Sequence, residues 1–166
     1  MSRLFLLRHA KAQWAKPSTK DFDRPLEEEG IASLENLAQA MQKAGTLPEC
    51  IVLSASHRTR QTAEILVECL GIDVEMIIDD TIYSGGAAEY LQSIKNNAGS
   101  RQLMLVGHNP SIEDLALALC NDGHEPSMAR LEAGFPTAAL AIIAFDGPLS
   151  DIAPGKGYLE SFPHPH

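Results

Sequence analysis

The sequence is poor in cysteine, has no long apolar run and carries no excess of basic charge. Three cysteines, Cys50, Cys69 and Cys120, are spread over 166 residues. They are odd in number and form no CxxC pair, so neither a zinc knuckle nor a redox dithiol is indicated. Buried free thiols in a reducing cytosol are expected. The opening MSRLFLLRHAK meets a charge too early for a signal peptide, and no stretch approaches the roughly 18 apolar residues of a membrane span. A cytoplasmic location without a membrane partner follows as the expectation. Thirteen Lys and Arg face 22 Asp and Glu, for a net charge of −9. That balance argues against a nucleic-acid footprint, which needs a basic face. It leaves room for a small basic pocket.

With 45 % hydrophobic and 21 % charged residues, the chain has ordinary globular composition. Its length suits one domain over residues 1–166. Internal repeats and linkers are absent from the sequence.

Short apolar runs alternate with segments of helical spacing. Residues 3–8, 50–53, 74–78, 102–106 and 138–145 read as strands, and 158–162 as a short edge strand. Residues 26–44, 57–70, 87–97 and 112–120 read as helices, and Gly45 and Gly71 stop the first two. The polar stretch 11–25 reads as a loop and the closing FPHPH as a frayed tail. The alternation predicts a three-layer α/β/α fold around a central, mostly parallel sheet.

In such a sheet, ligands collect beyond the carboxyl ends of the strands. Arg8 and His9 follow the first run. SASHRTRQTA, with Arg58 and Arg60, follows the second. Gly107, His108, Asn109 and Pro110 follow the fourth. Three strand ends thus deliver two histidines and several arginines to one edge. The arginine fork grips phosphate oxygens in pairs, helix N-termini add N–H donors, and a neutral imidazole is a competent nucleophile near neutral pH. Together they suffice for phosphoryl transfer without a metal.

These segments resemble a known family. LLRHAKA is similar to the RHG motif of the histidine phosphatase superfamily, whose fold is phosphoglycerate-mutase-like. SASHRTRQTA resembles its second-arginine segment and VGHNPSIEDLA its second-histidine segment. DFDRPLEEEG, FPTAALAIIAFDG and GYLESF resemble its small SixA-type branch of phosphohistidine phosphatases. The resemblance runs from Leu4 to Phe162. It implies that His9 becomes a phosphohistidine, that Arg8 and Arg58 hold the phosphoryl oxygens, and that His108 stabilises the transferring group. Arg24, Lys11 and Asn109 are candidate substrate-binding residues. No cofactor and no metal is implied.

Two departures from the family pattern stand out. Ala10 replaces the glycine of the wider superfamily, and its methyl group is expected to narrow the approach to the phosphate. No carboxylate in DDTIYSGGAAEY falls in register with the superfamily's proton donor, and Asp79, Asp80 and Glu89 compete for that role. Arg60 is expected on a solvated helix face, His57 on the surface, and Glu27 to Glu29 at a helix N-terminus. His124, His164 and His166 are expected in loops or the tail. The implied substrate is phosphohistidine on a signalling protein. The rivals are a small phosphate ester, split by a phosphomonoesterase or mutase of the same fold, and a non-catalytic module that docks phosphorylated partners.

Overall fold

The structure, a computed structural model, describes residues 1–163. Strand β1 (Ser2–Arg8) buries Leu4, Phe5, Leu6 and Leu7 completely. A strand apolar on both faces belongs at the centre of a covered sheet, and β1 lies there. It is followed by α1 (Glu28–Ala44), β2 (Cys50–Leu53), α2 (His57–Leu70), β3 (Glu75–Ile78) and α3 (Ala87–Asn96). Then come β4 (Gln102–Gly107), α4 (Ser111–Leu119), β5 (Cys120–Gly123), α5 (Glu125–Ala133), β6 (Leu140–Phe145) and β7 (Gly157–Ser161). The seven strands run in the order β3-β2-β4-β1-β6-β7-β5. β6 is antiparallel to both of its neighbours, and the other four pairings are parallel.

The period-2 alternation of the strands splits the core into two halves. Phe5, Leu7, Ile51, Leu53, Met104 and Val106 meet the apolar faces of α1 and α2. Leu4, Leu6, Val52, Leu103 and Leu105 meet α3, α4 and α5. The three-layer α/β/α expectation therefore holds. Gly45 and Gly71 end α1 and α2 in left-handed conformations, with φ of 73° and 66°.

Three expectations are corrected. The strand expected at the sheet's edge, β7, is an inner strand, because β5 pairs along its outer side. β5 and α5 were not anticipated at all. The closing tail is not frayed at its start: Phe162 is fully buried against Phe135, with ring centroids 4.9 Å apart. The rest of that expectation, including His164 and His166, lies outside the described residues. No helix among the described residues is long and apolar enough to cross a membrane. The three thiols are unpaired, and burial pushes Cys120 up to about 12.

Register brings the site together. Arg8 pairs with Gly107, and Leu53 with Val106, so His9, Ser54 and His108 follow three adjacent strand ends. A Cβ on Gly107 would lie 2.7 Å from the Tyr90 ring. That ring carries the hydroxyl that accepts the His108 amide N–H at 2.9 Å. The glycine thus lets α3 close onto the strand and hold the His108 backbone. Gly107→Ala is expected to destabilise the protein by about 1–3 kcal/mol through overpacking. Urea unfolding measures it, and an unchanged midpoint would show that Tyr90 gives way without cost.

Candidate active site

His9 and His108 face each other with ring centroids 5.4 Å apart, and both are only 8 % exposed. His9 Nδ1 lies 2.8 Å from the Ala10 carbonyl oxygen. A carbonyl can only accept, so Nδ1 carries the hydrogen and Nε2 keeps its lone pair. Ser54 Oγ lies 2.8 Å from His108 Nε2 and accepts the Ser56 amide N–H at 3.3 Å. We assign the Ser54 hydroxyl hydrogen to Nε2 from this network, which puts the His108 ring hydrogen on Nδ1. That Nδ1 is buried and has no hydrogen-bond partner.

Two arginines complete the arrangement. Arg8 donates through Nη1 to the Phe135 carbonyl at 2.9 Å, and Arg58 through Nη1 to the Asp21 carbonyl at 2.8 Å. The Nε of each is buried and unpartnered. Buried N–H groups are nearly always paired. Arg8 and Arg58 act on His9 through their charge, and the His108 ring lies 5.4 Å from it; the three unpartnered donors of these residues make a cradle suited to a tetrahedral oxyanion.

Electrostatics set the imidazoles neutral. Burial is the main cause that lowers His9 to about 4, and Arg58, Arg8 and Arg24 add to it against the Ala10 bond. Burial likewise lowers His108 to about 3, helped by His9 and Arg58. His9 Nε2 therefore carries a free lone pair at neutral pH.

The segment 54–62 builds the cradle with its polar side chains. Thr59 Oγ1 donates to the Ser54 and Ser56 carbonyls and folds the turn before α2. Thr62 Oγ1 donates to the Arg58 carbonyl at 2.7 Å and accepts the Ala10 N–H at 3.1 Å. Gln61 accepts the Leu26 N–H. Ala10 itself is fully buried among Phe5, Leu7 and Leu26. Its methyl group faces the core and not the phosphate approach, which corrects the expectation of a narrowed entrance.

The remaining candidates divide. Arg24 donates through Nε to the Gln13 carbonyl at 2.7 Å and through Nη1 to Asp21 at 2.9 Å; it braces the loop beside the cradle. Asn109 donates to the Phe135 carbonyl, the acceptor that Arg8 also uses. Lys11 is not brought into the cradle: its ammonium pairs with Glu29 at 2.8 Å and Glu27 at 3.5 Å at the start of α1. His124 caps α5 and lies 2.9 Å from Ser127 Oγ. His57 and Arg60 are half-buried, and Arg60 Nε is buried without a partner, so its helix face is less solvated than expected.

None of the three expected proton donors faces the imidazoles. Asp79 accepts from Ser93 and Thr81, and Glu89 accepts the Gly86 N–H at the start of α3. Asp80 is exposed. Two carboxylates stand near the cradle: Glu113 acts on Arg8 through its charge, and the one bonded to Arg58 is Asp21, from the loop after β1. It accepts from Tyr83 Oη at 2.6 Å, Arg24 at 2.9 Å and Arg58 at 3.2 Å. These donors, Tyr83 first, hold it well below the usual carboxylate range. It is ionised at neutral pH and has no proton to give. Sequence reasoning missed it because nothing local distinguishes it from Asp23. Among the described residues no group of three or more His, Cys, Asp or Glu is placed to hold a metal ion.

Residues 4–82 match the histidine phosphatase superfamily, branch 1. A solved structure assigned as the phosphohistidine phosphatase SixA of Agrobacterium tumefaciens is 32 % identical, with a TM-score of 0.84 over 99 % of this chain and 98 % of that one. The chain belongs to the histidine phosphatase superfamily. An uncharacterised protein of Mycobacterium tuberculosis is 30 % identical over 162 residues, covering 94 % of this chain and 98 % of its own length. A chloroplastic, uncharacterised protein of Arabidopsis thaliana is 33 % identical over 127 residues, which are 70 % of this chain and 58 % of that protein. The seven-stranded sheet with helices on both faces is the phosphoglycerate-mutase-like fold of this phosphatase, and its SixA-type likeness spans the whole sheet.

The depressed histidines make stability depend on pH. Unfolded imidazole binds a proton near pH 6.5, whereas the folded pair stays neutral until about 4 and about 3. Between these values the unfolded state binds more protons, so stability falls as pH drops from 6.5 toward 3. Urea midpoints at pH 7 and pH 5 are expected to differ in that direction, and His9→Asn to reduce the difference. Ring NMR signals that titrate at 6.5 in the folded protein would refute the neutral pair.

Proposed function

We propose that this phosphatase removes phosphate from phosphohistidine on a protein, with His9 as the nucleophile. One observation carries the reading: unpartnered donors on Arg8, Arg58 and His108 accompany a bare imidazole nitrogen on His9, and the carboxylate bonded to Arg58, Asp21, is held ionised. In the proposed sequence His9 Nε2 attacks phosphorus, and the substrate's P–N bond breaks. Its electron pair goes to the leaving ring, which departs as neutral imidazole when its other nitrogen bears a proton. The Ala10 carbonyl steadies the positive ring of phospho-His9 through Nδ1–H. Water then adds to phosphorus, the P–Nε2 bond breaks, and dihydrogen phosphate leaves with both water hydrogens. Arg8, Arg58 and His108 Nδ1–H hold the three phosphoryl oxygens throughout.

The leaving group decides between substrates. An alkoxide needs a positioned proton donor, a contribution of about 10²–10⁴ in rate. An imidazole needs none, because its ring is already close to protonation near neutral pH. A protein substrate also suits the exposed loop after β1, where Trp14 is 83 % exposed. The likeness to the Agrobacterium structure supports the same branch.

The test compares kcat/KM on a phosphohistidine protein and on an alkyl phosphate, with a higher value expected on the former. An alkyl phosphate that matches it would reverse the substrate assignment. His9→Ala is expected to abolish turnover and acid-labile phosphate incorporation, and Arg58→Ala to slow turnover by about 10²–10³ without unfolding. Chelator is expected to leave the rate unchanged. Full activity in His9→Ala would refute the mechanism, and a wild type that releases phosphate from neither substrate would favour the rival of a binding module.

A further inference from the structure

We propose that Asp21 receives the substrate's leaving ring: its carboxylate accepts the N–H on the far nitrogen of the phosphorylated imidazole and holds that proton in place while the P–N bond breaks. This rests on the phosphohistidine reading and adds to it a residue that selects the leaving group.

A carboxylate offers about four lone-pair positions. Three are taken in this structure, by Tyr83 Oη, Arg24 Nη1 and Arg58 Nη2. Tyr83 and Arg58 both bond Oδ2, and Arg24 bonds Oδ1. One position on Oδ1 is left, and the side chain is 51 % exposed. An unfilled acceptor with solvent access, fixed by three donors, is a preorganised receptor for one N–H.

Its place fits the leaving ring. Arg58 belongs to the cradle and is bonded by both the backbone and the side chain of Asp21. Tyr83 packs edge-on against His108, with centroids 5.7 Å apart, and against Phe22 at 5.0 Å. Asp21 therefore sits at the rim on the Arg58 and His108 side. The charged and titratable groups that face it are Arg24 from its own loop, Arg58 from α2, Tyr83 from the turn after β3, and His108 after β4.

The ion pairs with Arg24 and Arg58 account for holding a carboxylate here, but they do not favour binding of the substrate's phosphoryl group. The negative charge opposes the dianionic phosphoryl group that the arginines attract. A phosphohistidine protonated on its far nitrogen presents a cationic ring behind that dianion, and the carboxylate matches it. The atoms balance: the ring keeps its proton, gains the electron pair of the P–N bond and leaves neutral, while His9 takes the phosphoryl group.

The experiment measures kcat/KM of wild type and Asp21→Asn on a phosphohistidine protein and on p-nitrophenyl phosphate, whose leaving group departs as an anion without a proton. Asparagine also weakens the hold on Arg58, so both activities fall. The expected signature is the ratio of phosphohistidine to aryl ester activity, which drops about 10- to 100-fold at pH 8, the range of a hydrogen bond to a charged group. The drop in ratio shrinks at pH 6, below the ordinary imidazole value of about 6.5, where solvent already protonates the substrate ring. Asp21→Glu, which keeps the charge, recovers part of the ratio. Circular dichroism confirms that each variant is folded. An unchanged ratio at both pH values would reduce Asp21 to a support for Arg58 and overturn the proposal. Wild type that splits p-nitrophenyl phosphate but not phosphohistidine would overturn the phosphohistidine reading itself, and this one with it.

Discussion

Everything at this site follows from burying four nitrogen-rich side chains at one sheet edge with too few acceptors to satisfy them. His9, Arg58 and His108 are withdrawn from water and Arg8 is half-buried, and the chain offers them mainly single carbonyls: Phe135 for Arg8, Ala10 for His9 and Asp21 for Arg58. Each carbonyl engages one nitrogen, and the Nε of both arginines is left buried without a partner. An orphaned buried donor costs about 1–3 kcal/mol. That cost is met by the rest of the fold, above all by β1, whose four central residues are wholly buried. A bound oxyanion restores the missing acceptors, so the same deficit that weakens the empty protein favours its ligand.

The deficit also sets protonation. The loss of water, and after it the neighbouring guanidinium groups, push both histidines toward the neutral form. Neutrality is what a nucleophile requires, and the Ala10 carbonyl decides which nitrogen is bare. The chain's overall charge of −9 plays no part at this range. Surface carboxylates are screened within about 8–10 Å in physiological salt, while the buried arginines act directly.

Much of this was legible in the sequence, for a physical reason. Strand ends place side chains at one edge by topology, so Arg8, Arg58 and His108 were predictable from apolar runs and the residues that follow them. The polar residues between the arginines were harder to assign. Thr59, Gln61 and Thr62 bind carbonyls and N–H groups of other segments, and such partners are unknown before the chain folds. The same applies to Ala10, whose methyl group is aimed by β1 and α1 packing and not by its neighbours in sequence. β5 was illegible because CNDG has turn composition and becomes a strand only by pairing with β7, far along the chain, where Cys120 meets Gly157 and Gly123 meets Leu159. α5 carries only two buried residues, Ser127 and Leu131, too few to mark a helical period.

Asp21 shows where local reading ends. DFD looks like solvated loop, and the proton donor was sought after β3, where the superfamily pattern puts it. The residues there are already occupied by structure. Asp79 ties the turn after β3 to Ser93 of α3, and Glu89 caps α3 by accepting the Gly86 N–H. Freeing either for catalysis would unfasten α3, whose Tyr90 holds the His108 backbone. The turn after β3 contributes Tyr83 instead, which reaches across to Asp21 and fixes it as an anion. An acid and an anion in one place have opposite uses. On the proposed reading an anion here suits leaving groups that carry their own proton, and the hydrogen bonds that hold it also tie Tyr83 and Arg58 in position.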